Sequence, residues 1–119
     1  MPGGYGYLYK GTEEAKKHGE LAINTITDVI QWGRDKGLDD PKAQLNKVIE
    51  EVGEIAHEIC RNRYESDELY DAIGDTLVTV LILSDILDID PIDALEQAST
   101  IIQNRTGKTE NGTFVKEEE

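Results

Sequence analysis

Cysteine is almost absent: Cys60 stands alone among 119 residues. A single thiol cannot close an intrachain disulfide, so the fold is not crosslinked, and a reducing compartment is expected. Basic residues are also scarce, 12 Lys and Arg against 25 Asp and Glu, for a formal charge of −13. Without a basic patch, direct nucleic-acid binding is not expected. An acidic surface can still handle an anionic substrate when a metal ion bridges the two. No long apolar run exists. The longest, Leu77 to Leu83, is interrupted by Thr79 and falls far short of the roughly 20 residues a spanning helix needs. The N-terminus lacks a basic-then-apolar signal pattern. These absences predict a cytoplasmic protein with no membrane partner. There is no internal repeat, and nothing between the two tails reads as strand.

What the sequence does contain is helix. Thr12 before Glu13 and Glu14 has the form of an N-cap followed by acids in a first turn. The first helix is expected to run to about Lys36, with Gly37 as its stop signal. Asp40-Pro41 and Asp90-Pro91 each pair a capping acid with a proline suited to the first helical position. The second helix should end near Asn62, Ser66 or Asp67 should cap the third, and the fourth should end near Arg105. The expected organisation is an irregular arm over 1–11, an all-α domain over 12–105 and a tail or strap over 106–119. Tyr5, Tyr7 and Tyr9 alternate in the arm, which reads as a tail or a short strand. The tail carries two turn signals, Thr106-Gly107-Lys108 and Asn111-Gly112-Thr113, and fits a small hairpin. A four-helix, bundle-like domain follows.

The third helix organises the chain. Leu77, Val78, Val80, Leu81, Ile82 and Leu83 leave it no polar face, which predicts a place in the centre of the core. Three companion helices from one short chain do not suffice to surround it. Subunit association, as a homodimer or homotetramer, is therefore expected to complete the core. The first half of this helix is acidic: Glu68, Asp71 and Asp75 fall on one side. Acids entering a core helix must be paired, protonated or bound to metal. In the second helix Leu45, Val48, Val52, Ile55 and Ile59 form an apolar stripe. Glu51, Glu54 and Glu58 form the stripe beside it, flanked by Gln44 and Lys47. Set antiparallel, the two helices would bring several carboxylates together as a hard-cation site, for which Mg²⁺ is the leading candidate. The acids at Asp85, Asp88, Asp90 and Asp93 lack the glycine and closing glutamate of a calcium loop. His57 lies off the acidic stripe and reads as surface. Trp32 reads either as a packing residue or as the wall of a base pocket, since large aromatic faces stack on bases.

The run Lys47-Val-Ile-Glu50-Glu51-Val-Gly-Glu54 has the Glu-Glu-x-x-Glu form of MazG-like nucleotide pyrophosphohydrolases. Asp71-Ala-Ile-Gly-Asp75-Thr-Leu-Val resembles the second acidic motif of that all-α superfamily. Ile30 to Leu38, and Asn104 to Lys108 with Gly112 to Lys116, look like its short, phage-type members. The resemblance covers most of the chain from about Ile23. It implies cleavage of nucleoside triphosphates between the α and β phosphates, giving monophosphate and pyrophosphate with Mg²⁺ or Mn²⁺. By position it makes Glu51, Glu54 and Asp75 metal ligands, with Glu50 or Glu54 activating water. The family's second motif is usually Glu-x-x-Asp, which would place an acid at Ala72. Here Asp71 with Asp75 takes that role and Glu68 is an outer ligand; the other register pairs Glu68 with Asp71. Lys47, Arg105 and Lys108 are candidates for the departing pyrophosphate, and Asn24, Trp32 and Asn104 for the base pocket. The rival expectations are a non-catalytic acidic regulatory module and a helical bundle that only stores or senses cations.

Overall fold

A computed structural model describes residues 9–117; Tyr5, Tyr7 and the last two glutamates lie outside them. Four helices are followed by a hairpin: α1 Glu13–Asp35, α2 Pro41–Ile59, α3 Asp67–Ile86, α4 Pro91–Gln103, β1 Gly107–Glu110 and β2 Thr113–Lys116. Each helix begins where a side chain satisfies a first-turn amide. Thr12 Oγ1 accepts from the Ala15 amide at 3.0 Å and Ser66 Oγ from the Leu69 amide at 3.0 Å. Asp40 and Asp90 do the same before Pro41 and Pro91. Gly37 takes a left-handed φ of 72° just past α1.

Two helix ends fall short of expectation. α2 stops at Ile59 because Asn62 adopts a left-handed φ of 57°, and the amides of Arg61 and Arg63 both turn back to the Glu58 carbonyl. α4 stops at Gln103, with Asn104 as its C-cap. The tail hairpin forms, but only one of the two turn signals makes its turn. Asn111 and Gly112, at φ 51° and 79°, make the two-residue turn, with positive φ at both positions as type I′ requires. Gly107 is paired in β1 opposite Lys116. It is glycine because a Cβ there would run into the Val115 carbonyl oxygen and the Phe114 ring.

α3 is the hub. α1, α2 and α4 each pack on α3, most extensively α2, and among the described residues the hairpin packs on none of them. α1 crosses α3 where Gly33 meets Ile82; a Cβ at Gly33 would lie 3.2 Å from Ile82 Cγ1. One turn further on, Arg34 donates two hydrogen bonds to Asp85, Nη2 to Oδ1 at 2.6 Å and Nε to Oδ2 at 2.9 Å.

The centre is nevertheless thin. Ala72 and Ile82 are the buried apolar side chains among the described residues. α3 is not enclosed, for Leu77 is 61% exposed and Tyr70, Ile73 and Val80 stand open beside it. The apolar stripe assigned to α2 does not face α3 as a whole. Leu45, Val52 and Ile59 are about half exposed, and the side turned to α3 is a different one. The chain exposes 9768 Å², against roughly 6,500 Å² for a compact monomer of its mass.

Candidate active site between the second and third helices

Five α2 residues are shielded from solvent: Gln44, Val48, Glu51, Ile55 and Glu58. Their 4-3-4-3 spacing is that of a helix seam packed on a neighbouring helix. The seam alternates polar and apolar, with polar groups in the first, third and fifth layers. On α3 the facing positions are Leu69, Ala72, Thr76 and Thr79, all partly or fully buried.

The two outer polar layers are satisfied. Gln44, 6% exposed, donates Nε2 to the Thr79 backbone carbonyl at 3.1 Å. Glu58, 4% exposed, accepts from Ser66 Oγ at 2.7 Å and from Arg63 Nη1 at 3.5 Å. His57 is exposed, with Nε2 3.9 Å from Glu58 Oε2. Glu58 therefore closes the α2–α3 turn and does not belong to the outward acidic stripe. The sequence signal for this was its 14-residue separation from Gln44, two heptads along the same side.

The middle layer is Glu51, half-buried and without a hydrogen bond or ion pair among the described residues. Its pKa is raised above the usual carboxylate value, first by loss of solvent and then by the charges of Asp75, Glu50 and Glu54, with Lys47 opposing. Asp75 lies on α3 and the others on α2, so the antiparallel pair sets the two acidic motifs against each other. Glu50 is held by Lys47 Nζ at 3.1 Å. Glu54 is exposed and has no such partner.

Asp71, Asp75 and Glu68 are exposed on α3, not buried as the apolar run after them predicts. The buried position is Ala72, which faces α2. An acid there would be desolvated in the seam; the chain carries its acid one residue earlier, at the surface. Among the described residues no three Asp, Glu, His or Cys side chains are gathered tightly enough to hold a metal as they stand. Like charges repel when no cation is present to draw them together. The donor chemistry still fits a divalent cation. Several carboxylates share one patch, and the half-buried one makes no hydrogen bond or ion pair among the described residues.

The other candidates are more scattered. Asn24 and Trp32 lie exposed on α1, which packs on α3 and not on α2. Asn104 Nδ2 donates to the Thr100 carbonyl at 2.9 Å, a helix-end role. Arg105 follows α4, and Lys108 in β1 pairs with Glu110 at 3.2 Å; neither element touches α2. A cleft of about 400 Å³ between α1 and the α3–α4 link, lined by Ile23, Ile30, Arg34, Asp85 and Ile89, holds none of the acidic motif residues.

The chain is a mostly helical protein, four helices and a small hairpin, with acidic residues on two antiparallel neighbouring helices. Residues 39–109 match the family model described as the MazG nucleotide pyrophosphohydrolase domain. The match spans α2, α3 and α4, well over half of the chain, and the chain belongs to that family. Comparison with curated proteins and with solved structures gives no match.

Proposed function

We propose that the chain is a divalent-cation-dependent nucleoside triphosphate pyrophosphohydrolase, releasing a nucleoside monophosphate and pyrophosphate. The observation that carries this reading is Glu51, half-buried in the α2–α3 seam without a hydrogen bond or ion pair among the described residues, its pKa raised first by loss of solvent and then by the charge of Asp75 on the opposite helix. Glu51, Glu54 and Asp75 would hold the cation. Asp75 acting on Glu51 favours Asp71 with Asp75 over the register that pairs Glu68 with Asp71, and leaves Glu68 as an outer group. Mg²⁺, or Mn²⁺ in its place, supplies charge neutralisation and Lewis acidity toward phosphate oxygens when bound.

The chain's own residues divide the remaining work. Glu54 is the better general base, because Glu50 is already engaged by Lys47. It accepts a proton from the attacking water as the water oxygen bonds to the α-phosphorus. The bond from that phosphorus to the bridging oxygen breaks, and pyrophosphate leaves. Lys47 acts on Glu51 and is the α2 cation beside the acidic motif that could face the departing charge. Arg105 follows α4 and Lys108 lies in β1, elements that do not pack on α2, so within one chain Lys47 is the nearer candidate.

We also propose that a second copy covers the open apolar side, as a homodimer or homotetramer. Leu45, Ile49, Val52 and Ile59 on α2 repeat at helix-seam spacing, as do Tyr70, Ile73, Leu77 and Val80 on α3, and all are exposed. The excess over a compact monomer, on the order of 3,000 Å², exceeds the ~800 Å² per partner of a standard interface.

The test is pyrophosphate release from a panel of ribo- and deoxyribonucleoside triphosphates, with Mg²⁺ and with chelator. Release from at least one nucleotide, lost with chelator, is expected. No release from any member, with the helices intact by circular dichroism, contradicts the proposal.

A further inference from the structure

The α2 seam contains more polar side chains than packing alone would select. Gln44 and Glu58 are the buried polar residues among those described, and they sit one heptad either side of Glu51. Between them the seam is small or half-buried: Val48 and Ile55 on α2, Ala72 and Thr76 on α3. Such a contact discriminates poorly between registers, because sliding by one turn exchanges similar apolar neighbours. The two ends do discriminate. A one-turn slip would take the Gln44 amide off the Thr79 carbonyl and strand the Glu58 carboxylate away from the Ser66 hydroxyl. The slip would strip Gln44 of that acceptor and Glu58 of its shortest hydrogen bond, leaving two buried polar groups less well satisfied.

Resting on the cation reading above, we propose that Gln44 and Glu58 are positioning residues that fix the α2–α3 register and so hold Glu51 opposite Asp75. Neither is hydrogen-bonded to the proposed ligands among the described residues. Gln44 acts near the C-terminal half of α3 and Glu58 at its N-cap, so the pair brackets the site. A polar residue at one seam position is a known way to specify register at some cost in stability. Here two such positions flank the carboxylate that must not move.

The experiment uses the full chain with Mn²⁺ as probe and no nucleotide. Binding is read by electron paramagnetic resonance, and the thermal midpoint is measured alongside. In Gln44→Met/Glu58→Met the seam becomes apolar. Thermal stability is expected to hold or rise, while Mn²⁺ affinity falls by about tenfold or more, the scale of losing groups that orient metal ligands. A merely structural role would move the two readouts together. Glu58→Gln keeps an acceptor for Ser66 and is expected to stay within about twofold of wild type. Arg34→Met, which breaks the α1–α3 tie instead, should leave Mn²⁺ affinity unchanged.

Wild-type affinity in a folded double variant overturns the inference and leaves the cation site standing. So does a loss in Glu58→Gln as large as in Glu58→Met, which would mean that the charge itself, not the register, is what the ion senses. No Mn²⁺ binding by the wild type removes the cation reading and this inference together. Should the double variant fail to fold, Gln44→Met alone, which removes one neutral hydrogen bond, carries the same comparison.

Discussion

Glu51 is the carboxyl group on which the proposed site turns. Its raised pKa means that the charged form is disfavoured in the folded chain. The resulting penalty is absent well below the ordinary value of 4.5 and complete above the raised folded value. Stability of the cation-free protein should therefore fall as pH rises through that interval. Glu51→Gln removes the penalty, so its melting temperature in chelator at neutral pH should exceed that of wild type. Adding Mg²⁺ should reverse the order: an ion at about 100 times its Kd stabilises wild type by ~2.7 kcal/mol, and the variant should gain little. Melting curves with and without Mg²⁺ check both halves. The two acidic motifs were legible in the sequence because acids at 3, 4 and 7 residue spacing share a helix side whatever the packing. The role of Glu58 was legible only in part: its two-heptad separation from Gln44 puts both on one side of α2, but which side meets α3 is settled by packing. A stripe of Leu, Val and Ile looked like the inward side when a mixed stripe was.

At the scale of elements, α3 carries the fold and α1 is pinned to it at two adjacent points. Ile82 is 3% exposed and packs against Gly33. Ile82→Ala should cost about 2–5 kcal/mol, read from denaturant midpoints, because α1 is too close at Gly33 to collapse onto the void. The Arg34–Asp85 pair gives a second, pH-marked signature. Asp85 is held below its usual value by the hydrogen bonds from Arg34, against the opposing effect of burial. Its stabilisation is complete above the ordinary 3.8 and is lost as pH falls through the lower folded value. Asp85→Asn should melt a few degrees below wild type at pH 7 and converge with it in strong acid, in a pH series of thermal melts. Element starts were legible because Thr12, Asp40, Ser66 and Asp90 cap by local chemistry. Two helix ends were missed by two or three residues, since the left-handed turn at Asn62 reflects the closure of α2 onto α3.

At the scale of the whole molecule, large apolar side chains stand exposed on the outer sides of α2 and α3, Ile49, Ile73 and Leu77 among them. The outer sides of α2 and α3 are the places where a partner would complete the core, and sedimentation should show dimers or tetramers. Leu77→Glu should shift them to monomer, with reduced helicity. The apolar character of α3 led to the same expectation in the sequence, while the exposed lines on two helices became visible only once the seam between them was fixed.

Turnover by Glu54→Gln and Asp75→Asn tests most directly whether acids from two helices act as one site. Each variant is expected to keep its helices and lose at least ~100-fold in kcat/KM for pyrophosphate release, the scale of losing a general base or a group that holds the metal. Wild-type rates in both would show that these carboxylates work apart, and that hydrolysis, if present, is performed elsewhere on the chain.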